Sequence, residues 1–142
     1  MLTSTMTMPT TTDGSASLTS RRVGLVLLGI AVLFLTFDTV IKLLASPEAV
    51  AGTLQLGWPA SVIRPLGLVS AVLLVLLLIP RTAPLGALLW TGYLGGAVAT
   101  HVRIGNPLFS HVLFPVYIAI FIWGGLYLRD VRVRTFVQSI VR

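Results

Sequence analysis

VSAVLLVLLLI, residues 69–79, carries no charge and is the most lipid-like run in the chain. It is entered through Trp58-Pro59 and closed by Pro80. Proline is best tolerated at helix ends. The run therefore predicts a membrane-crossing helix over about 61–79. Outward from it, the rest of the chain repeats the pattern. The 142 residues are 56% hydrophobic and only 10% charged, with a mean hydropathy of +0.97. An ordinary soluble domain has about 25% charged residues. Too few charges remain to coat a soluble surface, so the chain reads as an integral membrane protein. Its length allows one domain and no sizeable extramembrane module.

Three further spans are predicted, over about 23–45, 84–102 and 109–128. The first follows Ser20-Arg21-Arg22, which superficially looks like a twin-arginine export signal. Its apolar run is too long for a cleaved signal and carries Asp38 and Lys42. At 1.5 Å per residue it covers about 35 Å, enough to cross with some tilt. Trp123 and Tyr127 are placed for an interfacial aromatic belt near the end of the fourth. The predicted fold class is an all-α membrane protein, a four-transmembrane-helix bundle over 21–130. Residues 1–20 are rich in Thr, Ser and Met and predict a disordered tail. Met6 and Met8 are alternative starts. Residues 131–142 predict a basic cytoplasmic tail. Its alternation of basic and apolar residues suits either the anionic inner leaflet or a frayed end.

Charge sets the expected orientation. With the N-terminus inside, the cytoplasmic side holds Arg21, Arg22, Arg81, Arg129, Arg132, Arg134 and Arg142; the outer side holds Lys42, Arg64 and Arg103. Seven against three places both termini in the cytoplasm. The net charge of +6 is explained by this topology, so no nucleic acid is expected as a partner. The absence of cysteine excludes disulfides and thiol redox chemistry. Nine of the ten basic residues are Arg, which points to a GC-rich bacterial genome.

On this topology the costly residues gather in one outer layer. Asp38 and Lys42 lie in the outer half of the first span. Arg64 opens the second, His101 and Arg103 close the third, and His111 opens the fourth. Glu48, Gln55 and Asn106 fall in outer loops. Asp38 and Lys42 are four apart with the acid first, the favourable order for a helical ion pair. They either neutralise each other, with Lys42 snorkelling outward, or line a pocket with Arg64, His101 and Arg103. His101 is either an interfacial histidine or a proton-handling group. Arg64 and Arg103 either anchor the interface or hold a carbonyl or anion. Nothing at metal-ligand spacing accompanies the two histidines, so no metal is expected.

The segment TGYLGGAVATHVR (91–103) adds a stripe of small residues: Gly92, Gly96 and Thr100 on one face, Gly95 and Ala99 beside it. Such stripes let helices approach closely. The expected partner is another helix of the bundle, or a second copy in a homo-oligomer. No phosphate loop, HExxH or serine elbow is present, and whether the chain is an enzyme stays open.

Six blocks carry a resemblance: FDTVIKLL (37–44), LGWP (56–59), IPRTAPLGALL (79–89), TGYLGGAVATHVR (91–103), LFSHVLFPVY (108–117) and WGGLYLRD (123–130). The chain resembles the DoxX-like family of small four-helix membrane proteins. The resemblance implies a bundle in a bacterial plasma membrane. Relatives in the wider DoxX and DoxD group are linked to membrane redox chemistry, including thiosulfate oxidation coupled to quinone; other distant relatives act as assembly factors. Two functional expectations follow. One is an accessory or quinone-interacting subunit of a membrane redox system. In it Arg64 and Arg103 hold quinone carbonyls, and His101 and Asp38 exchange protons. The other is a non-catalytic scaffold or assembly factor that packs against a partner through the small-residue face. A transporter or channel would need an oligomer.

Overall fold

A computed structural model describes residues 17–141, and among these all regular structure is helical. The expected tail over 1–20 lies mostly outside the described residues; Leu18 to Ser20 already form the first turn of a helix. That helix, α1 (Leu18–Leu43), starts early because the Ser17 hydroxyl accepts the Ser20 N–H at 3.2 Å. It ends in a left-handed turn at Ala45 (φ 50°), with Ser46 N–H on the Ile41 carbonyl and Ala45 N–H on that of Lys42. Ser46 then caps the next helix, α2 (Pro47–Gln55), through Ala49 N–H. Pro47 in the first turn and Glu48 behind it suit a helix start. The expected outer loop thus contains a short helix.

A 3₁₀ turn (Ala60–Val62) leads into α3 (Ile63–Leu78). Pro65 falls in the first turn of α3, where no N–H is required. Pro80 forces Ile79 into an extended conformation (ψ 117°) and ends the helix. The next helix, α4 (Ala83–Arg103), carries Pro84 in its first turn. A π-helical turn (Leu108–Val112) precedes α5 (Phe114–Arg129). Extended backbone at Asp130 (φ −110°, ψ 115°) separates α5 from α6 (Val131–Val141), so the expected tail is a helix too.

The long helices pack as antiparallel neighbours in a ring: α1 against α3 and α5, α4 against α3 and α5. Single glycines set the close approaches. A Cβ on Gly24 would lie 2.8 Å from the Gly125 carbonyl oxygen, one on Gly67 2.9 Å from the Leu43 nitrogen, and one on Gly86 2.5 Å from the Leu77 nitrogen. The stripe expected to pack does not do so within the chain. Gly92, Gly95, Gly96 and Ala99 are exposed, and a Cβ on any of the three glycines would meet nothing within 4 Å. Thr100 is half-buried and its hydroxyl donates to the Gly96 carbonyl. The stripe faces outward because the Leu- and Trp-bearing side of α4 (Ala87, Trp90, Leu94) takes the interior.

Trp90, Leu35, Ile122 and Leu77 form the heart of the core. The outside is equally apolar: Leu33 is 74% exposed, Leu68 61% and Val72 60%. Such continuous apolar surface is unfit for water and fits lipid. Three helical segments are long and apolar enough to cross a membrane: Leu18–Leu43, Ala60–Leu78 and Leu108–Arg129. The fourth, α4, has 21 residues, but Gly, Thr and its terminal His and Arg reduce its hydropathy.

Candidate functional site

The ring of helices is not filled at one end. There α1 and α4 face each other across a cavity of about 280 Å³. Phe34, Leu35, Leu94, Phe114 and Ile118 make apolar walls, and Ala49, Gly52, Thr53 and Leu56 of α2 cover the end. The polar lining comes from Asp38, Lys42, Tyr93 and His101.

The ion pair is the centre of this lining. Lys42 Nζ lies 2.6 Å from Asp38 Oδ2, with the two side chains 21% and 24% exposed. Helical spacing of four makes the pair; α4 completes it. Lys42 also donates to the Tyr93 hydroxyl at 3.2 Å and lies 5.4 Å from the centre of that ring. The ammonium therefore has a carboxylate, a phenol oxygen and a π-face around it, which offsets the cost of taking a charge out of water. Tyr93 is held in turn by edge contact with buried Trp90, ring centroids 5.2 Å apart.

His101 is placed by the turn that ends α4. Gly105 adopts φ +72°, a conformation glycine takes without Cβ strain. Gly105 N–H then reaches the Val102 carbonyl and Asn106 N–H the His101 carbonyl, both at 3.1 Å. This is the Schellman closure of a helix. It sets the Asn106 amide 2.7 Å from His101 Nδ1. His111 approaches the far side, ring centroids 5.8 Å apart at 66°. His111 is itself exposed, pairs with Ser110 and does not line the cavity.

The two arginines expected here lie elsewhere. Arg103 Nη2 donates to the Leu56 carbonyl at 2.7 Å, and its guanidinium lies 5.7 Å from the Trp58 ring centre. It satisfies the last carbonyl of α2 and ties α2 to α4. Arg64 is exposed and makes no hydrogen bond or ion pair among the described residues. Neither arginine lines the cavity. The structure thus brings Asp38, Lys42 and His101 together, adds Tyr93, and leaves Arg64, Arg103 and His111 outside. No group of three His, Cys, Asp or Glu side chains could hold a metal ion among the described residues.

In chemical terms the cavity offers two donors (Lys42 and Tyr93), one carboxylate and one imidazole against apolar walls. Fold and site together define a small all-helical membrane protein with a polar cluster at one end of its helix ring. The DoxX-like family model matches residues 26–125, about two thirds of the chain, and the chain belongs to the DoxX-like family. No curated protein and no solved structure matches it.

Proposed function

We propose that this chain is an accessory, quinone-interacting subunit of a membrane redox system. The observation that carries this reading is the Asp38–Lys42–Tyr93 cluster, joined by His101 on the lining of one apolar cavity. We read α4 as a fourth crossing, since it packs between α3 and α5 along its length. Both termini then lie on the cytoplasmic side of a bacterial plasma membrane, by the excess of arginine there.

A cavity of about 280 Å³ is at the small end of ligand pockets, roughly 300–1,000 Å³. It fits a single ring and leaves any isoprenoid tail in lipid. Lys42 and Tyr93 would hold a carbonyl oxygen, the role first assigned to Arg64 and Arg103. Asp38 and His101 would each take up a proton from the outer aqueous side and pass it to the ring, the two protons that accompany two-electron reduction to quinol. A partner redox protein supplies the electrons, because a chain without cysteine has no thiol to do so. The test is a titration of purified Trp58→Phe/Trp123→Phe protein with a short-tailed quinone, read by quenching of the remaining Trp90, which lines the cavity. Saturable quenching lost in Asp38→Asn and Tyr93→Phe supports the reading. Quenching that is linear, or unchanged in both variants, refutes it.

A second reading has its own observation. The exposed face of Gly92, Gly95, Gly96 and Ala99 is open to another helix, as a scaffold or assembly factor or a homo-oligomer would require. A co-purifying protein lost on Gly96→Leu but kept on His101→Ala would favour it. Crosslinking that recovers neither a partner nor a second copy would count against it.

A further inference from the structure

The end of the molecule opposite the cavity carries a second concavity, which the quinone reading does not use. α6 leaves the axis of α5 at Asp130 and returns Val133, 2% exposed, to the core, with Val137 packed against it. Between α6 and the start of α4 this leaves a groove of about 370 Å³ lined by Pro84, Leu85, Leu88, Trp123, Val133 and Phe136, with Arg132 the one charged residue. Apart from Arg132 the walls offer no free side-chain donor: the Trp123 indole N–H is spent on the Thr91 hydroxyl at 2.9 Å. Leu85, Leu88 and Phe136 are 50%, 60% and 58% exposed, so the groove is continuous with the apolar outer surface.

Charge at this end is one-sided. Among the described residues this end holds Arg21, Arg22, Arg81, Arg129, Arg132 and Arg134 against one acid, Asp130. Arg132 pairs with Asp130 at 3.3 Å yet stays 65% exposed, and it also donates to the Pro80 carbonyl at 3.2 Å. Those bonds use Nε and Nη2, leaving Nη1 free to donate. The Pro80 contact brings Arg132 to the backbone one residue before Arg81, which is exposed and makes no bond among the described residues. Depth agrees with charge. Leu88 is five residues into α4 from Ala83, or about 8 Å along the axis. The groove thus runs from Arg132 at its rim to about 8 Å deeper along α4.

We infer that this groove is a binding site for an anionic phospholipid of the cytoplasmic leaflet, its acyl chain along Leu85, Leu88 and Phe136 and its phosphate on Arg132 and Arg81. The inference rests on the reading that the arginine-rich end lies at a membrane interface, and is independent of the quinone cavity at the other end. A soluble protein partner would not reach walls that are continuous with the lipid-facing surface. A zwitterionic lipid would bring an ammonium into an arginine cluster. An anionic lipid satisfies both the walls and the charges.

The test is native mass spectrometry of the full chain released from micelles containing equal amounts of dioleoyl phosphatidylglycerol and dioleoyl phosphatidylcholine. The wild type should retain phosphatidylglycerol preferentially. Each arginine near an anionic headgroup contributes about a fivefold preference, so Arg81→Gln/Arg132→Gln should reduce the ratio to near one. Arg64→Gln, at the other end, should not change it. Leu88→Trp and Leu85→Trp keep every charge but fill the groove, and should reduce retention of both lipids; circular dichroism and gel filtration confirm that they fold. Equal retention of the two lipids by the wild type would overturn the site. So would phosphatidylglycerol retention that survives both tryptophan variants, which would mean diffuse attraction to charge.

Discussion

Replacing Asp38 with Asn removes the negative charge 2.6 Å from Lys42 Nζ and leaves the ammonium with neutral neighbours only, an amide oxygen and the Tyr93 hydroxyl and ring. Breaking a fully buried ion pair from one side costs about 3–5 kcal/mol. A lone charge at the bilayer centre costs about 2.5–3.5 kcal/mol on insertion scales. The pair here is about a fifth exposed and near a helix end, so screening reduces the expected loss to about 1.5–2.5 kcal/mol. Lys42→Met should cost a similar amount, because it strands the carboxylate. The double variant Asp38→Asn/Lys42→Met strands neither, and should lose no more than either single one. The coupling energy is then about 1.5 kcal/mol or more. Reversible unfolding in mixed detergent micelles, followed by circular dichroism, measures all three. Single effects that add to within about 0.5 kcal/mol would mean that the two charges are separately solvated, and the reasoning about the cavity would fail.

Two further outcomes follow from packing. Gly86→Ala puts a Cβ 2.5 Å from the Leu77 backbone nitrogen and should destabilise by about 1–3 kcal/mol. Gly96→Ala meets nothing within 4 Å and should be neutral or gain up to about 1 kcal/mol from helix propensity; the same unfolding assay separates them, and equal losses would refute the packing assignment. Arg103→Ala frees the Leu56 carbonyl and the Trp58 ring. It should cost about 1–2 kcal/mol and speed proteolysis within residues 46–60, with the rest of the chain unchanged. An unaltered cleavage rate would show that Arg103 does not hold α2.

Helix ends were largely legible because proline and glycine punctuate the apolar runs. The stop at Pro80 and the start at Pro84 fall within a residue or two of the observed ends of α3 and α4. α2 lies where the sequence suggests a loop, although Ser46-Pro47-Glu48 is a helix-start pattern; its nine residues are too few for apolar periodicity to show. For the site, the Asp38–Lys42 pair was legible from spacing alone. Tyr93 was not, since its bond to Lys42 spans 51 positions and depends on how α1 and α4 face each other. For Arg64 and Arg103 the sequence leaves interface anchoring and cavity lining both open, and neither lines the cavity. Sequence gives depth along the membrane normal but not direction around a helix, and residues at one depth need not share a cavity. The glycines show the same limit. A GxxxG stripe drew attention to 92–96, whereas the close contacts fall at lone glycines in leucine-rich surroundings, Gly24, Gly67 and Gly86.

The account stands most directly on what occupies the cavity between α1 and α4. A short-tailed azidoquinone, photolysed with the purified protein, would be located by peptide mass spectrometry. Label on the segments holding Asp38–Lys42 and Tyr93–His101, displaced by excess unlabelled quinone and lost in Asp38→Asn, is the predicted result. Label spread over the lipid-facing surface, or unchanged by competitor and by Asp38→Asn, would contradict it.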